Sequence, residues 1–306
     1  MNFKVHILGC GSALPTLYRN PTSQYINLQE RHLLIDCGEG TQLKLRKHKI
    51  KFSKIDYVFI SHLHGDHYLG LIGLLSSLHL LGRKKPLSLY GPENLNNILL
   101  SHFKYSGTFL SYKIDFHPVN PKKSTLLIED NVFKVTSIPL SHKIDCTGFL
   151  VEEKEKLRTI DKQAILNYQI PIKSFHSLKM GKDIVIDKKT IKNELLTTDP
   201  AKPRSYAFCS DTKYDESIVS IIKNVDLLYH EATFLEDKRD RAKKTYHSTA
   251  IDAAKIAKLS NAKKLILGHY SARYNDVSLF ENEAKTVYDN VIAVKDGDTF
   301  EIELTK

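Results

Sequence analysis

The sequence predicts an α/β fold, a four-layer αββα sandwich with an inserted arm. Three observations predict it. Short β-branched and aromatic runs alternate with helix-like stretches along most of the chain. Metal-ligand residue types stand at the ends of those strand-like runs, as expected of two sheets clad in helices on both outer faces. Between residues 153 and 203 the pattern becomes charged, short in apolar period and broken by prolines, so this stretch reads as an insertion in a single 306-residue domain.

The clearest strand end is Tyr57-Val-Phe-Ile-Ser61, which leads into His62-Leu-His-Gly-Asp-His67. His62, His64, Asp66 and His67 fall within six residues there, and a helix-like stretch follows from Tyr68. Neutral imidazole and carboxylate suit zinc, and one tight turn can serve two adjacent ions. A solvated polar loop is the alternative, and the spacing argues against it.

His-x-His-x-Asp-His after a strand resembles the dinuclear metal motif of the metallo-β-lactamase superfamily. Other stretches resemble its ribonuclease Z family, the endonucleases that trim the 3′ end of precursor transfer RNA. Residues 3–8 form a strand ending in Gly9-Cys-Gly11, but Pro15 and Pro21 deny the helix that a dinucleotide fingerprint needs. The loop Pro15-Thr-Leu-Tyr-Arg-Asn20 is similar to a family loop, which implies substrate contacts for Arg19 and Asn20. Leu17 stands where many members carry a basic residue, and Arg19 also reads as a plain surface charge. Asp36, at the end of the strand His32–Asp36, reads by spacing equally as a helix cap. The resemblance instead implies that it orients a metal-bound histidine from behind.

The basic run from Lys44 to Lys54 reads as a solvated helix end. Strands follow near residues 112–117, 124–129 and 132–138, and the last delivers His142, which matches the superfamily's third motif. Tyr206-Ala-Phe-Cys-Ser210 presents Asp211 at its end, where two carboxylate oxygens can bridge two ions. A helix is expected at 215–223 and a strand at 226–229. His230-Glu-Ala-Thr233 and His247-Ser-Thr249 are the most family-specific features; Ser248 or Thr249 also reads as the cap of a helix from Ala250. The strand from Lys264 ends in His269, and His269-Tyr-Ser-Ala-Arg273 resembles the family's fifth motif. A helix at 278–289 and a strand pair around Asp296-Gly-Asp298 close the chain.

Residue by residue, the resemblance implies that His62, His64 and His142 hold one zinc ion and Asp66, His67 and His269 a second, with Asp211 bridging. Two zinc ions per chain are thus expected, with Asp66, Glu231 and His247 catalytic and Arg19, Asn20 and Arg273 touching substrate. It implies precursor tRNA as partner, a homodimer, and an arm at 153–203 that holds the tRNA elbow, although Pro171-Ile-Lys-Ser-Phe-His176 replaces the Gly-Pro pair usual there. The net charge of +10 favours a polyanionic partner. Four cysteines without a Cys-x-x-Cys pair read as reduced and intracellular. Neither a signal-peptide core nor a run of about 18 apolar residues is present, so a cytoplasmic protein with no membrane contact is expected. Two other readings stand beside this one: a different phosphodiester or thioester hydrolase of the same fold, and a silent nucleic-acid-binding scaffold.

Overall fold

The protein is described by a computed structural model over residues 2–304. Two compact units make it up, a larger one running to residue 152 and resuming over 205–302, and a smaller one at 153–204. In chain order the strands are β1 (Phe3–Gly9), β2 (Ser23–Leu28), β3 (Arg31–Ile35), β4 (Tyr57–Phe59), β5 (Leu87–Gly91), β6 (Ile114–Pro118), β7 (Leu126–Glu129), β8 (Phe133–Leu140) and β9 (Cys146–Glu153). The smaller unit holds β10 (Thr159–Ile160), β11 (Ile184–Ile186), β12 (Lys189–Ile191) and β13 (Thr197–Thr198). The larger resumes with β14 (Ser205–Cys209), β15 (Leu227–Glu231), β16 (Leu265–Gly268), β17 (Val291–Ala293) and β18 (Thr299–Glu301). Two seven-stranded sheets result, ordered β18-β1-β2-β3-β4-β5-β6 and β17-β16-β15-β14-β9-β8-β7.

Residue alternation explains why these strands are covered on both sides. In β3, Leu33 and Ile35 enter the core between the sheets, whereas Leu34 faces the outer helices; in β4, Phe59 and Val58 divide in the same way. Phe133, Phe149 and Phe208 meet them from the second sheet. Helices α1 (Thr41–Lys47), α2 (Gly65–Leu80) and α3 (Asn94–Tyr105) cover the first sheet through Leu45, Leu71, Leu75, Leu78 and Leu99. After α4 (Lys162–Asn167) and α5 (Phe175–Lys179) of the smaller unit come α6 (Arg239–Thr245), α7 (Ala250–Ser260) and α8 (Ser278–Lys285). Small residues of α7, Ala253, Ala254 and Ala257, and Phe280 of α8 complete the layer on the second sheet. All four cysteines are free and buried. No helix among the described residues is long and apolar enough to cross a membrane.

Two expectations fail locally. The helix expected at 215–223 is a single 3₁₀ turn, Glu216–Ile218, which Asp215 caps through the Ser217 amide. Its β-branched residues resist helical crowding, and Ile218, Ile222 and Val225 bury best from an irregular turn. The strands flanking Asp296–Asp298 do not pair with each other: β17 joins β16 in the second sheet, whereas β18 pairs with β1 in the first.

In the smaller unit, Ala164, Ile170, Leu178, Ile184 and Leu196 form a separate small core. Asp161 caps α4 by accepting the Gln163 amide at 2.7 Å. A buried ion pair joins Arg204 to Glu153, with Nε and Nη2 donating at 2.9 and 2.7 Å to the two carboxylate oxygens. Removing one partner strands the other buried charge, at a cost of about 3–5 kcal/mol. Arg204→Ala should therefore speed amide hydrogen exchange through residues 153–204. Unchanged exchange there would show that the pair does not hold this unit together.

Candidate metal centre

The site is built where strands stop. Asp36 follows β3, His62 and His64 follow β4, His142 follows β8, Asp211 follows β14, Glu231 ends β15 and His269 follows β16. Asp36, Asp211 and His269 adopt left-handed backbone conformations, with φ of 56°, 61° and 61°. Such a residue costs about 1–2 kcal/mol, and three of them at one site mark a turn that local propensity does not select. At Gly38 a Cβ would collide with the Asp66 carbonyl, so glycine lets the β3 loop lie against the start of α2.

Two ligand groups meet at Asp211. His64 Nδ1 lies 3.0 Å from His62 Nε2 and 3.2 Å from His142 Nε2. The latter two nitrogens are 3.6 and 3.7 Å from Asp211 Oδ2. On the other side, His67 Nε2 and His269 Nε2 lie 3.2 and 3.1 Å from Asp211 Oδ1. The same two nitrogens are 3.3 and 3.5 Å from Asp66 Oδ2. The ligand atoms of His62, His64, His142 and Asp211 all lie within 4.8 Å of one another, as do those of Asp66, His67 and His269.

The opposite ring nitrogens fix which atoms face the centre. His67 Nδ1 donates to Asp36 Oδ2 at 2.7 Å, so Asp36 is no helix cap; Gly40 occupies the position before α1. His142 Nδ1 donates to the Tyr246 carbonyl at 3.0 Å. Thr233 Oγ1 gives its proton to Glu231 Oε2 at 2.6 Å and therefore accepts from His269 Nδ1 at 2.9 Å. Ser61 does the same on the other side: its hydroxyl donates to Asp36 Oδ2 at 2.8 Å and lies 3.0 Å from His62 Nδ1, while its amide donates to Asp36 Oδ1 at 2.7 Å. Ser61 thus joins a ligand of each group. Ser61, Thr233 and Tyr246 escaped sequence reasoning; the hydroxyls of Ser61 and Thr233, each close in sequence to a motif residue, were the available signal.

The donor set suits cations. Burial lowers the pKa of His62, His64 and His142, leaving neutral rings with lone pairs to offer. Burial works the same way on His67, but the Asp211, Asp66 and Asp36 carboxylates outweigh it and raise its pKa. Among the described residues, every ion pair of Asp66 and Asp211 is with a histidine, with no lysine or arginine to offset their charge. The buried Nε2 atoms of His67 and His269 have no hydrogen-bond partner. Orphaned imidazole nitrogens beside uncompensated carboxylates are what a bound metal ion would satisfy.

Beside this cluster, His247 Nδ1 donates to Glu231 Oε1 at 2.7 Å. Burial disfavours a charged imidazole, yet Glu231 overcomes it and raises the pKa of His247 to about 9. Glu231 is itself held by the Thr212 amide at 2.8 Å and the Thr233 amide at 3.2 Å. Thr249 caps α7 in a capping box with Asp252, so the loop carrying His247 is anchored at the helix start. His64, Asp66, His142, Asp211, His247 and His269 line a cleft of ≈ 500 Å³. Arg19 is buried rather than a surface charge, and its Nη2 donates to the Tyr274 carbonyl at 2.6 Å. The Asn20 amide donates to Asp296 Oδ2 at 2.8 Å. Arg273 is exposed, with its guanidinium 5.4 Å above the Phe234 ring.

A family model described as Anti-Pycsar protein Apyc1 matches residues 3–290. A ribonuclease Z of Porphyromonas gingivalis is 46% identical over 295 residues, covering 96% of this chain and 97% of the relative. The chain belongs to the ribonuclease Z family. Its membership of the family that the Apyc1 model describes rests on nearly the same stretch of sequence. The crystal structure of the human short-form tRNase Z matches with a TM-score of 0.72 at 26% identity, covering 98% of this chain and 99% of that one. YhfI of Bacillus subtilis, described as a metallo-β-lactamase fold protein, matches with a TM-score of 0.69 at 21% identity, covering 98% and 100%. The αββα sandwich of this ribonuclease Z family member is thus the metallo-β-lactamase fold.

The hydroxyl bridge at Ser61 generates a prediction. Outer partners of metal-bound histidines are commonly worth about 10–100-fold in affinity. Ser61→Ala should weaken metal binding by about tenfold or more, seen as earlier loss of metal during titration with a chelator. Wild-type retention would show that Ser61 does not hold the ligands.

Proposed function

We propose that the chain is a zinc-dependent endoribonuclease that removes the 3′ trailer from precursor tRNA and leaves a 3′ hydroxyl on the tRNA. The observation that carries this is the pairing of two histidine–carboxylate groups at Asp211 with the adjacent Glu231–His247 pair, in a chain 46% identical to a ribonuclease Z. His62 Nε2, His64 Nδ1 and His142 Nε2 would hold one zinc ion, Asp66, His67 Nε2 and His269 Nε2 the other, with an oxygen of Asp211 toward each. Two ions held there would lower the pKa of a water molecule and offset charge on the phosphate.

The chain's own groups then divide the proton work. Asp66 accepts the proton of the attacking water, and its Oδ2 is aimed by the Ala13 amide at 2.8 Å. His247, charged at neutral pH because Glu231 faces its Nδ1, donates from Nε2 to the leaving 3′ oxygen. Arg273 meets the RNA backbone. Arg19 and Asn20 act by holding the 12–21 loop in place, since the Arg19 guanidinium donates to the Tyr274 carbonyl and the Asn20 main-chain amide to Asp296.

Residues 153–204 form the arm that grips tRNA away from the cut, supported by exposed lysines at 162, 173, 179, 182, 188 and 189. The enzyme works as a cytoplasmic homodimer; the exposed side chains of Leu43, Leu69, Leu80 and Leu81 on and beside α1 and α2 support a self-association face. A second reading is another phosphodiester or thioester hydrolase of the same fold, supported by the match of residues 3–290 to a family whose description names no tRNA.

The test is to incubate purified protein with a 3′-extended tRNA and map the new end. A cut just after the discriminator base is expected, and hydrolysis of small phosphodiesters without tRNA cleavage would favour the second reading. His247→Ala should lower kcat by about 10²–10⁴-fold with zinc content unchanged; zinc lost in step with activity would make His247 a ligand. Replacing residues 154–203 by a short flexible linker, so that the Glu153–Arg204 pair stays whole, should strongly lower kcat/KM for precursor tRNA and weaken its salt dependence, while a small chromogenic phosphodiester is still hydrolysed. Unchanged tRNA cleavage would remove the arm from substrate binding, and loss of both activities would make it a support of the fold.

A further inference from the structure

Beside the metal cleft lies a smaller pocket of ≈ 350 Å³ that takes no part in the chemistry above. The two share a boundary, since Ser12, Ala13, Thr245 and His247 line both. Across that boundary the charge changes sign. Carboxylates of Glu39, Asp66 and Asp211 line the metal cleft, whereas among the described residues the pocket is lined by Arg241 and Arg273 and by no carboxylate.

The two arginines come from different elements and are placed in different ways. Arg273 follows β16, and its guanidinium lies 5.4 Å above the ring of Phe234, which is buried and also lines the pocket. Arg241 stands in α6, two residues after Arg239, whose own guanidinium is taken up by Glu236 and Asp252 and so ties the helix down. Among the described residues neither Arg241 nor Arg273 forms an ion pair, and both are exposed. Two guanidiniums without a carboxylate, lining one small pocket, suit a phosphate, whose oxygens match the arginine fork.

Which phosphate follows from the role of His247. The oxygen that receives its proton is the 3′ oxygen of the last nucleotide kept on the tRNA, so the ribose of that nucleotide lies against His247, where the pocket begins. Attacking and leaving oxygens stand on opposite sides of the phosphorus in an in-line displacement. The attacking water gives its proton to Asp66, which lines the metal cleft and not the pocket, so the leaving ribose turns toward the pocket. The next charge along the chain from that ribose is its own 5′ phosphate.

We propose that Arg241 and Arg273 bind the phosphate on the 5′ side of the last retained nucleotide, and so hold the substrate one nucleotide upstream of the cut. This rests on the reading of the chain as a tRNA 3′ endonuclease and names a binding residue, Arg241, for it.

The experiment uses precursor tRNAs with one neutral methylphosphonate linkage, either at that phosphate or at the first phosphate inside the trailer. Each is compared with a precursor that carries the same neighbouring 2′-O-methyl group and a natural phosphate, and kcat/KM is measured for the wild type and for Arg241→Gln. On the natural linkage Arg241→Gln should lose about tenfold or more, the scale of one charge-assisted hydrogen bond. The wild type should lose a similar factor to the upstream methylphosphonate, and the combined loss should fall well short of the product, because one contact is removed twice. At the trailer linkage the two losses should multiply. Arg241→Lys, which keeps the charge at an exposed position, should recover most of the rate and stay sensitive to the upstream linkage. Losses that multiply at the upstream linkage, a shortfall found at the trailer linkage instead, or an Arg241→Gln enzyme with the wild-type rate would overturn the proposal and leave the tRNA activity standing. If the wild type cuts no precursor, the tRNA reading itself fails and takes this site with it.

Discussion

Buried negative charge is the constraint on which the rest of this structure depends. Asp36 and Asp211 are fully or almost fully buried, and Asp66 shares their cluster, with imidazoles as their only ion-pair partners among the described residues. Carboxylates removed from water need positive charge or several hydrogen bonds. Here the hydrogen bonds are partial and, among the described residues, no lysine or arginine pairs with Asp36, Asp66 or Asp211, so the arrangement suits a state with metal bound. The same demand explains the surroundings: His62, His67, His142 and His269 turn their spare nitrogens to acceptors, which leaves the lone pair of the other nitrogen facing inward.

The sandwich makes that concentration of ligands possible. Two mixed sheets end strands beside one another, so residues far apart in sequence, such as His62 and Asp211, arrive within 3.6 Å. Left-handed backbone at Asp36, Asp211 and His269 is a local cost of bending away from a strand within a single residue. Packing of the interior, with Phe59, Phe149 and Phe208 between the sheets, holds the ends steady enough to keep these conformations.

Much of this was legible in the sequence because the signals are short-ranged. His62, His64, Asp66 and His67 sit together in the chain, and His142, Asp211 and His269 each follow an apolar strand-like run. What sequence could not show was proximity between remote segments. Asp36 read equally as a cap until His67 Nδ1 proved to be 2.7 Å away, and Arg19 read as a surface charge although carbonyls of residues 271 and 274 bury it. Ser61 and Thr233 were passed over because a hydroxyl's role depends on which acceptor already holds its proton. The helix misread at 215–223 has a similar origin: its isoleucines repeat near helical spacing, but the surface they must cover favours a 3₁₀ turn.

The central claim is that two metal ions share Asp211. The most direct measurement is an anomalous-scattering map of zinc-loaded crystals recorded at the zinc edge. The account predicts two peaks per chain flanking Asp211, one against His62, His64 and His142 and the other against Asp66, His67 and His269. A single peak, or peaks away from Asp211, would contradict it.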